Sequence, residues 1–345
     1  MPRRLLGRTG LEVSVIGLGL APLGNLYRAI SDADAEDTVA TAIKLGIRYF
    51  DTAPYYGFGL SERRAGGALR GLDDIIISTK VGRLLGPKTD ETSPAERHGF
   101  VSPMPFEPRF DYSHDGILRS YEQSLDRLRT ARIDILLIHD IGRTTHGAEH
   151  DQRLAQLVDG GGLVALQRLR DEGSVSAIGL GVNEIDVCFE LLDRAELDVI
   201  LLAGRYTLLE QAAIGELLPH CIEERVSIVI GGPFNSGILA SGSSASGARY
   251  NYVPATTSVR ERVKRLERTC ATHRVPLAAA ALQFPLAHPA VAAVIPGFAS
   301  AAEVRLGIDH FETPIPAALW SDLLREGLID ERAPVPGPKL EEAAS

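Results

Sequence analysis

Short apolar segments alternate with longer stretches of helical periodicity along almost the whole chain. The predicted strands are Val13–Leu18, Arg48–Asp51, Ile75–Lys80, Asp134–His139, Val175–Val182, Val199–Ala203, Ser227–Gly231 and Val291–Ile295. The predicted helices between them are Asp34–Leu45, Ser61–Leu69, His114–Leu128, Leu163–Glu172, Ile185–Arg194, Gln211–Arg225 and Ser258–His273. Parallel strands that are buried on both faces read as continuous apolar runs. Strands and helices in this alternation therefore predict the α/β class and a (β/α)8 TIM barrel.

Turn residues and long connections predict what is added to this barrel. The segment RRLLGRTGLEV, with Gly7 and Gly10 as turn residues, predicts an N-terminal β-hairpin that covers the barrel bottom. Long loops are predicted at the C-terminal ends of strands, over residues 82–112, 140–162 and 232–257. That face is where barrel enzymes carry their active sites. No Pro/Gly-rich linker divides the chain, so we predict a single domain over residues 1–332 and a disordered tail over residues 333–345.

Charge and composition exclude several classes of partner. The formal net charge of −9 argues against nucleic acid or an anionic membrane surface as the main partner. The N-terminal segment MPRRLLGRTG has no apolar signal region, and no apolar run approaches the roughly 18 residues that cross a bilayer. The cysteines Cys188, Cys221 and Cys270 are far apart and match no metal or redox spacing. We therefore predict a reduced, cytoplasmic protein that acts on a small molecule.

The segment HGAEH is the one candidate for a metal site. His146 and His150 have the i,i+4 spacing that suits zinc when both lie on one helix. Gly147 and the predicted loop argue against a helix, and no glutamate completes the HExxH order. We therefore predict no metal site.

Four reactive side chains fall at the ends of successive predicted strands. Asp51 ends the second strand and Tyr56 follows it, whereas Lys80 and His139 end the third and fourth strands. Neighbouring parallel strands end on one rim, so these side chains are expected to converge. A lysine ammonium lowers the pKa of a nearby phenol, an aspartate supplies its counter-ion, and a histidine orients a substrate oxygen. Each residue alone has an ordinary structural explanation, but together they suit proton transfer in a carbonyl–alcohol interconversion.

The motifs around these residues resemble those of the aldo-keto reductases. The similarity covers most of the chain, through GRTGLEVSVIGLG, GIRYFDTAPYYG, IIISTKVG, LDRLRTARIDILLIHD, LRDEGSVSAIGLGVN, GGPFNSGIL and VAAVIPGFASAAEV. The resemblance implies a (β/α)8 barrel that binds NAD(P)(H) without a Rossmann domain. It also implies a catalytic tetrad of Asp51, Tyr56, Lys80 and His139. In that tetrad the tyrosine is the general acid/base and the histidine orients the carbonyl or hydroxyl.

The same resemblance implies a cofactor site along the rim. Its residues would be Asn183 at the nicotinamide amide, Pro233, Asn235 and Gly237 at the pyrophosphate, and Gly297, Ser300 and Glu303 at the adenosine end. The chain departs from the family pattern at Val182, Ala203 and Gly231 or Gly232, where a serine, a glutamine and a stacking tyrosine are usual. Residues 297–303 contain no lysine or arginine for a 2′-phosphate, so NAD is predicted, with NADP as the alternative. Glu303 would repel such a phosphate, although it also suits the first turn of a helix.

Further motifs are similar to one branch of this family. These motifs are HDI, THG, GVNE, LLAGRYTLLEQ and GGPFNSGIL. The branch contains aldose 1-dehydrogenases for L-fucose, L-galactose and D-threo-aldoses, and also pyridoxal 4-dehydrogenase. The similarity implies oxidation of a hemiacetal carbon to a lactone with NAD⁺. An aldose is predicted first, pyridoxal second, and a general aldehyde or ketone reductase third.

The expected rim also bears on the substrate. A sugar needs many hydrogen-bonding partners, whereas a flat aromatic ring needs apolar walls. The polar rim residues are Asn25, Tyr27, Tyr55, Asp140, Arg205 and Asn235, against Phe58 and Phe106 as walls. This balance favours a sugar, with Asn25, Tyr55 and Arg205 as predicted substrate contacts. A catalytically silent NAD(P)-sensing regulatory subunit is the alternative from another class, and the sequence leaves a monomer and a small homo-oligomer equally open.

Overall fold

A ring of eight parallel strands forms the centre of the protein. The computed structural model describes residues 1–88 and 95–337. The strands are β1 (Leu18–Gly19), β2 (Tyr49–Asp51), β3 (Ile76–Val81), β4 (Ile135–His139), β5 (Ala177–Val182), β6 (Val199–Ala203), β7 (Ser227–Gly231) and β8 (Val291–Ile295). They pair in chain order, and parallel bridges from Ile16 to Val294 and from Gly19 to Gly297 join the first strand to the eighth. The predicted (β/α)8 barrel is confirmed.

Helices connect successive strands. Those of seven residues or more are Asp32–Lys44, Leu60–Ala68, His114–Leu128, His150–Val158, Gly162–Asp171, Asp186–Leu192, Leu217–Glu223, Thr257–Thr272, Leu277–Gln283, Ala301–Glu312 and Ala317–Arg325. The predicted helix Gln211–Arg225 is shorter in the structure, since a 3₁₀ turn at Ala212–Ile214 and Gly215 precede its helical part. Leu277–Gln283 escaped prediction because it is buried on nearly all sides and so has no amphipathic period.

The N-terminal hairpin covers one end of the barrel. Arg3–Leu5 pairs antiparallel with Glu12–Ser14, as predicted. Leu6 and Val13 belong to the buried cluster that fills the barrel interior, together with Leu137 of β4. The predicted strand Val13–Leu18 was wrong as one element, because its first residues belong to the hairpin and its last to β1. Both parts are buried, so the sequence reads as one apolar run.

Three β-ribbons occupy the long connections after β3 and β7 in the described part of the chain, and the smallest pairs Glu96–Arg97 antiparallel with Phe100–Val101. Arg83–Pro87 pairs antiparallel with Phe106–Phe110. Arg249–Tyr250 pairs antiparallel with Val253–Pro254. The predicted long loops are therefore partly ordered as ribbons, and all three ribbons contribute side chains to the site described below.

The tail and the domain boundary at residue 332 stay predictions. Ala333 is buried and Val335 packs against the core, whereas residues 338–345 of the predicted disordered tail lie outside the described residues. Within the part of the chain that the structure describes, no helix is long and apolar enough to cross a membrane.

Candidate active site

The four predicted catalytic side chains meet at one end of the barrel. Asp51 ends β2, Lys80 lies one residue before the end of β3, and His139 ends β4. The turn after β2 carries Tyr56, whose ring centroid lies 4.7 Å from Lys80 Nζ and 6.1 Å from that of His139. Consecutive parallel strands end on the same rim, which explains why residues far apart in sequence converge.

A buried ion pair supports this cluster. Lys80 Nζ donates to Asp51 Oδ2 at 2.7 Å and to the carbonyl of Thr52 at 2.8 Å. The other carboxylate oxygen of Asp51 accepts from Ser78 Oγ at 2.7 Å. Both charged side chains are only 2% exposed. These hydrogen bonds fix the ammonium in front of the Tyr56 ring, because a buried charge needs its partners to stay in place.

The titration of Tyr56 differs from the sequence prediction. Burial raises the pKa of Tyr56 well above its ordinary value of 10.0, and the carboxylates of Asp51 and Asp140 raise it further. The expectation of a lowered pKa for this phenol is therefore wrong, because the net shift is upward. The charge of Lys80 is already compensated by Asp51, so burial dominates. Tyr56 is protonated at neutral pH and can donate a proton to a substrate oxygen.

His139 is a neutral imidazole. Burial lowers its pKa well below 6.5, and the charges of Arg83 and Lys80 lower it further. Tyr112 fixes the backbone of His139, since its hydroxyl donates to the histidine carbonyl at 2.8 Å. Nδ1 is buried without a hydrogen-bond partner among the described residues. A neutral imidazole carries one N–H donor, which suits orientation of a substrate oxygen.

A cleft of about 1270 Å³ opens over the four residues. Aromatic rings form one wall: Tyr55 lies 5.7 Å from both Phe58 and Phe100, centroid to centroid, and 6.1 Å from His139. Phe110, from the ribbon after β3, extends this wall. Of the two predicted walls, Phe58 lines the cleft and Phe106 does not. The aromatic surface is larger than the sequence analysis indicated.

Two charged residues next to the tetrad were missed as partners. Arg83 donates through Nη2 to Asp140 Oδ2, and both residues line the cleft. Sequence analysis named Asp140 only as a rim residue and did not single out Arg83. Their sequence positions could have indicated the pair, because Arg83 ends the segment TKVGR that contains Lys80 and Asp140 directly follows His139 in IHD.

The predicted cofactor residues mostly line the same cleft. Those that do are Asn183, Pro233, Asn235, Gly237, Gly297 and Glu303. Ser300 does not, and its hydroxyl instead caps the helix Ala301–Glu312. Asn235 uses its amide to hold the loop after β6, accepting from Thr207 Oγ1 at 2.6 Å and donating to Gly204.

Small residues give the cleft the shape that a nicotinamide nucleotide needs. A Cβ at Gly181 would lie 3.2 Å from Lys80 Cε, and one at Gly231 would lie 2.8 Å from the Leu201 side chain. Gly181 therefore leaves room for the Lys80 side chain, and Gly231 leaves room for Leu201, in the lining of the cleft. The loop 232–237 contains Gly232, Asn235 and Ser236 with positive φ, which turns its backbone along the cleft. The residues present fit such a group.

The far end of the cleft contains a cation that the sequence did not reveal. Arg28 forms an ion pair with Glu303. The same carboxylate accepts from the backbone N–H of Ala299 at 2.8 Å. Sequence analysis considered only cations near residue 303, whereas Arg28 belongs to the loop after β1. The end of the cleft that was predicted to hold the adenosine is therefore lined by a neutralised pair.

Two of the three predicted substrate contacts are used elsewhere. Tyr55 lines the cleft as predicted, but Asn25 and Arg205 do not. The Asn25 amide donates to the carbonyl of Val101 and accepts from Arg64. Arg205 donates to Asn251 Oδ1 at 3.0 Å. These bonds tie loops together, so the geometry does not support a substrate role for either side chain.

The two histidines of HGAEH have separate structural partners. The expected loop is helical, with His146 ending the helix Arg143–His146 and His150 beginning another. His146 Nε2 lies 3.0 Å from the Tyr112 hydroxyl, whereas His150 contacts the Ile141 carbonyl and Glu190. Within residues 1–88 and 95–337 no group of three or more His, Cys, Asp or Glu side chains could hold a metal ion.

Comparisons with known proteins agree with this arrangement. The model of the aldo/keto reductase family matches residues 15–324. The chain is 43% identical to a pyridoxal 4-dehydrogenase from Microbacterium luteolum, covering 95% of this chain and 98% of that one. It is 39% identical to a D-threo-aldose 1-dehydrogenase from a Pseudomonas species, covering 93% and 96%. The holo form of an aldo-keto reductase from Bacillus halodurans superposes with a TM-score of 0.74 at 28% identity, covering 96% and 97%. The chain belongs to the aldo/keto reductase family and is a nicotinamide-dependent oxidoreductase acting on CH–OH or aldehyde groups.

Proposed function

We propose that this protein oxidises the hemiacetal carbon of a cyclic aldose to a lactone, with NAD⁺ as the oxidant. The observation that carries the proposal is the cluster of tetrad side chains that lines the cleft. There the Tyr56 ring faces Lys80 Nζ at 4.7 Å, and Lys80 is held by Asp51 at 2.7 Å. The cluster can take a proton from a hydroxyl while hydride leaves the same carbon.

Each residue has a defined part in this reaction. Bound NAD⁺ supplies the hydride acceptor. His139 donates a hydrogen bond that orients the hemiacetal oxygen, since it is neutral and lies at the same rim. Tyr56 accepts the hydroxyl proton, and the Lys80 ammonium stabilises the phenolate before that transfer. The C1–H hydride leaves, the C1–O bond becomes the lactone carbonyl, and the Tyr56 phenol keeps the proton.

Polar groups near the reacting end favour an aldose. Asp140 and Arg83 line the cleft beside His139, and Tyr55 lies under the Arg83 guanidinium at 4.1 Å. A sugar hydroxyl needs such partners, because a site built for a hydroxyl discriminates strongly against its loss. The D-threo-aldose 1-dehydrogenase relative is consistent with this choice.

Pyridoxal is the second candidate. The wall of Tyr55, Phe58, Phe100 and Phe110 could pack against its flat ring. The relative at 43% identity is a pyridoxal 4-dehydrogenase. Pyridoxal also closes to a cyclic hemiacetal, so the same proton and hydride transfers apply to both candidates.

A direct comparison of substrates tests the proposal. We expect L-fucose or a D-threo-aldose to be oxidised with a higher kcat/KM than pyridoxal, at matched NAD⁺ concentration and pH. Initial rates of NADH formation and identification of the lactone by mass spectrometry give the answer. A tenfold higher kcat/KM for pyridoxal would identify pyridoxal, and not a sugar, as the substrate. Oxidation of neither compound would refute the proposed function.

We further propose that NAD is preferred over NADP. The Glu303 carboxylate faces the cleft and opposes a 2′-phosphate, while its pairing with Arg28 removes the cation that could bind one. We expect a higher kcat/KM for NAD⁺ than for NADP⁺. Glu303→Gln should free the Arg28 guanidinium. The ratio of kcat/KM for NAD⁺ to that for NADP⁺ should then fall about tenfold, the scale of one charged hydrogen bond.

The control for this prediction is Arg305→Gln. Arg305 is an exposed cation on the same helix, and it bonds only the carbonyl of Ala301 among the described residues. Its replacement should leave the ratio unchanged. Dissociation constants from quenching of intrinsic fluorescence measure nucleotide binding without turnover. Tighter binding of NADP⁺ than of NAD⁺ by the unmodified protein would contradict the preference.

The raised pKa of Tyr56 gives an expected pH dependence. Oxidation needs the phenolate, and burial raises the pKa of Tyr56 well above 10.0. The rate of oxidation should therefore rise with pH through the alkaline range, whereas reduction, which needs the phenol, should be highest at neutral pH. The lowered pKa of His139 means that its titration should add no inflection to either profile near pH 6.5. A plateau of the oxidation rate near pH 7 in pH–rate profiles would contradict this assignment.

A further inference from the structure

A carboxylate outside the tetrad lies at the reacting end of the cleft. Asp140 directly follows His139, and its backbone N–H donates to the Gly181 carbonyl at 2.9 Å. Its φ of 46° is left-handed, a conformation that aspartate tolerates better than most residues. The side chain lines the cleft and keeps 16% of its surface exposed. The fold therefore presents an accessible carboxylate next to the histidine that meets the reacting oxygen.

Only part of the hydrogen-bonding capacity of Asp140 is used by the protein. Oδ2 accepts from Arg83 Nη2 and lies 3.4 Å from His139 Nε2. Oδ1 has a long contact of 3.5 Å with Asn183 Nδ2. A carboxylate offers about four acceptor positions, so room for a further donor is left on the side that faces the cleft.

Arg83 is fixed so that it holds this carboxylate. It is 5% exposed, and its guanidinium carbon lies 4.1 Å from the Tyr55 ring centroid and 5.1 Å from that of Phe110. The preceding Gly82 has φ of 94°, and a Cβ there would lie 2.2 Å from the Tyr112 ring. Two rings and a constrained backbone thus set the direction of the guanidinium. Nε has no hydrogen-bond partner among the described residues, which leaves Asp140 as the anion that Arg83 faces.

The position of the pair indicates what it contacts. His139 meets the oxygen on the reacting carbon, so a carboxylate on the next residue reaches substituents beside that carbon. In a cyclic aldose the neighbouring substituent is the 2-hydroxyl, an O–H donor. A carboxylate accepts such a bond about twice as strongly as a neutral group does.

We propose that Asp140 is a specificity-determining residue that accepts a hydrogen bond from the hydroxyl next to the hemiacetal carbon, and that Arg83 is the positioning residue that keeps this carboxylate charged and oriented. The inference rests on the proposed function and deepens it. It assigns recognition of the 2-hydroxyl to a side chain outside the tetrad.

Hydroxyl deletion on the substrate tests this assignment. The measurement is kcat/KM for L-fucose and for 2-deoxy-L-fucose, with saturating NAD⁺, for the wild type, Asp140→Asn and Arg83→Met. The wild type should prefer L-fucose by about 10³-fold, because the deoxy sugar leaves a buried acceptor unpaired. In each variant, kcat/KM should fall about 100-fold for L-fucose and less than about threefold for the deoxy sugar. Only L-fucose has the 2-hydroxyl whose hydrogen bond is removed.

Two further variants separate recognition from general damage. Arg153→Met is the matched control, because Arg153 faces the same Phe110 ring at 5.9 Å without lining the cleft. It should keep the wild-type preference. The double variant Arg83→Met/Asp140→Ala is used if a single variant fails to fold. It removes both charges and therefore leaves no unpaired buried ion. Its preference for L-fucose should likewise fall to within about tenfold of unity.

The outcomes are distinguishable. Asp140→Asn could lower kcat/KM equally for both sugars, or raise the dissociation constant for NAD⁺ enough to account for the loss. Either result would show that Asp140 supports the cofactor side through Asn183 and would overturn the inference. A wild type without preference for the 2-hydroxyl would also overturn it, while lactone formation would still support the proposed function. Failure of the wild type to oxidise any sugar would refute the proposed function, and the inference with it.

Discussion

Replacing Tyr56 with phenylalanine is expected to lower kcat by about 10³-fold or more, within the range attributed to a general acid/base. The phenol ring faces Lys80 Nζ, with its centroid at 4.7 Å. Phenylalanine keeps the ring and its edge contact with His139, so packing should survive. Nucleotide binding should change little, because the loss concerns a proton transferred only during the reaction.

The matched control for this variant is Tyr121→Phe. Tyr121 is also largely buried, and its replacement removes one hydrogen bond, which its hydroxyl donates to the carbonyl of Ser174. It is not among the residues lining the cleft, so kcat should stay close to that of the wild type. Steady-state kinetics and fluorescence titration with NADH give both readouts. A Tyr56→Phe enzyme that keeps a tenth of the wild-type kcat would remove Tyr56 from the proposed role.

Replacing Lys80 with methionine is the second large expected effect. It removes the ammonium in front of the Tyr56 ring, so the phenolate forms less readily and kcat should fall about 100-fold or more. It also leaves the Asp51 carboxylate, 2% exposed, without its 2.7 Å partner. An uncompensated buried charge of this kind costs about 3–5 kcal/mol, so the melting temperature should fall as well.

The double variant Lys80→Met/Asp51→Asn separates these two effects. An asparagine at position 51 carries no charge and can keep its bond with Ser78 Oγ. Much of the lost melting temperature should therefore return, whereas kcat should stay low because the ammonium is still absent. Calorimetry and kinetics on the same preparations decide this. Recovery of kcat together with stability would show that Lys80 acts only as a structural counter-ion.

The tetrad was predictable because the fold repeats one geometric rule. Asp51, Lys80 and His139 lie at or next to the ends of consecutive parallel strands, and such ends share a rim whatever the intervening sequence. The apolar runs of these strands are continuous, so their ends are visible in the sequence. Strand β1 was misplaced because the hairpin residue Val13 is as buried as Leu18.

The rest of the site depends on long-range contacts that no local pattern contains. Arg83 lies on a ribbon whose partner strand, Phe106–Phe110, comes after a long connection, so its packing against Phe110 could not be read from spacing. Arg28 reaches Glu303 across 275 positions of sequence. The amide of Asn25 is taken by Val101 and Arg64, which sequence analysis could not foresee.

Titration behaviour was the least predictable property. The neighbouring charge of Lys80 was visible in the sequence, but the burial of Tyr56 beside the cleft and the approach of Asp140 were not. Burial acts in the opposite direction to the lysine and is the larger effect on the pKa of this phenol. A motif therefore identifies which groups meet, whereas their protonation states follow from the packing around them.

Transfer of deuterium from the sugar to the nucleotide tests the central claim most directly. L-Fucose labelled with deuterium at C1 is incubated with NAD⁺ and the wild-type protein, and both products are examined by mass spectrometry. We expect one deuterium in each reduced nucleotide and an equal amount of unlabelled lactone. Reduced nucleotide without deuterium, or no lactone at all, would contradict hydride transfer from a hemiacetal carbon at this site.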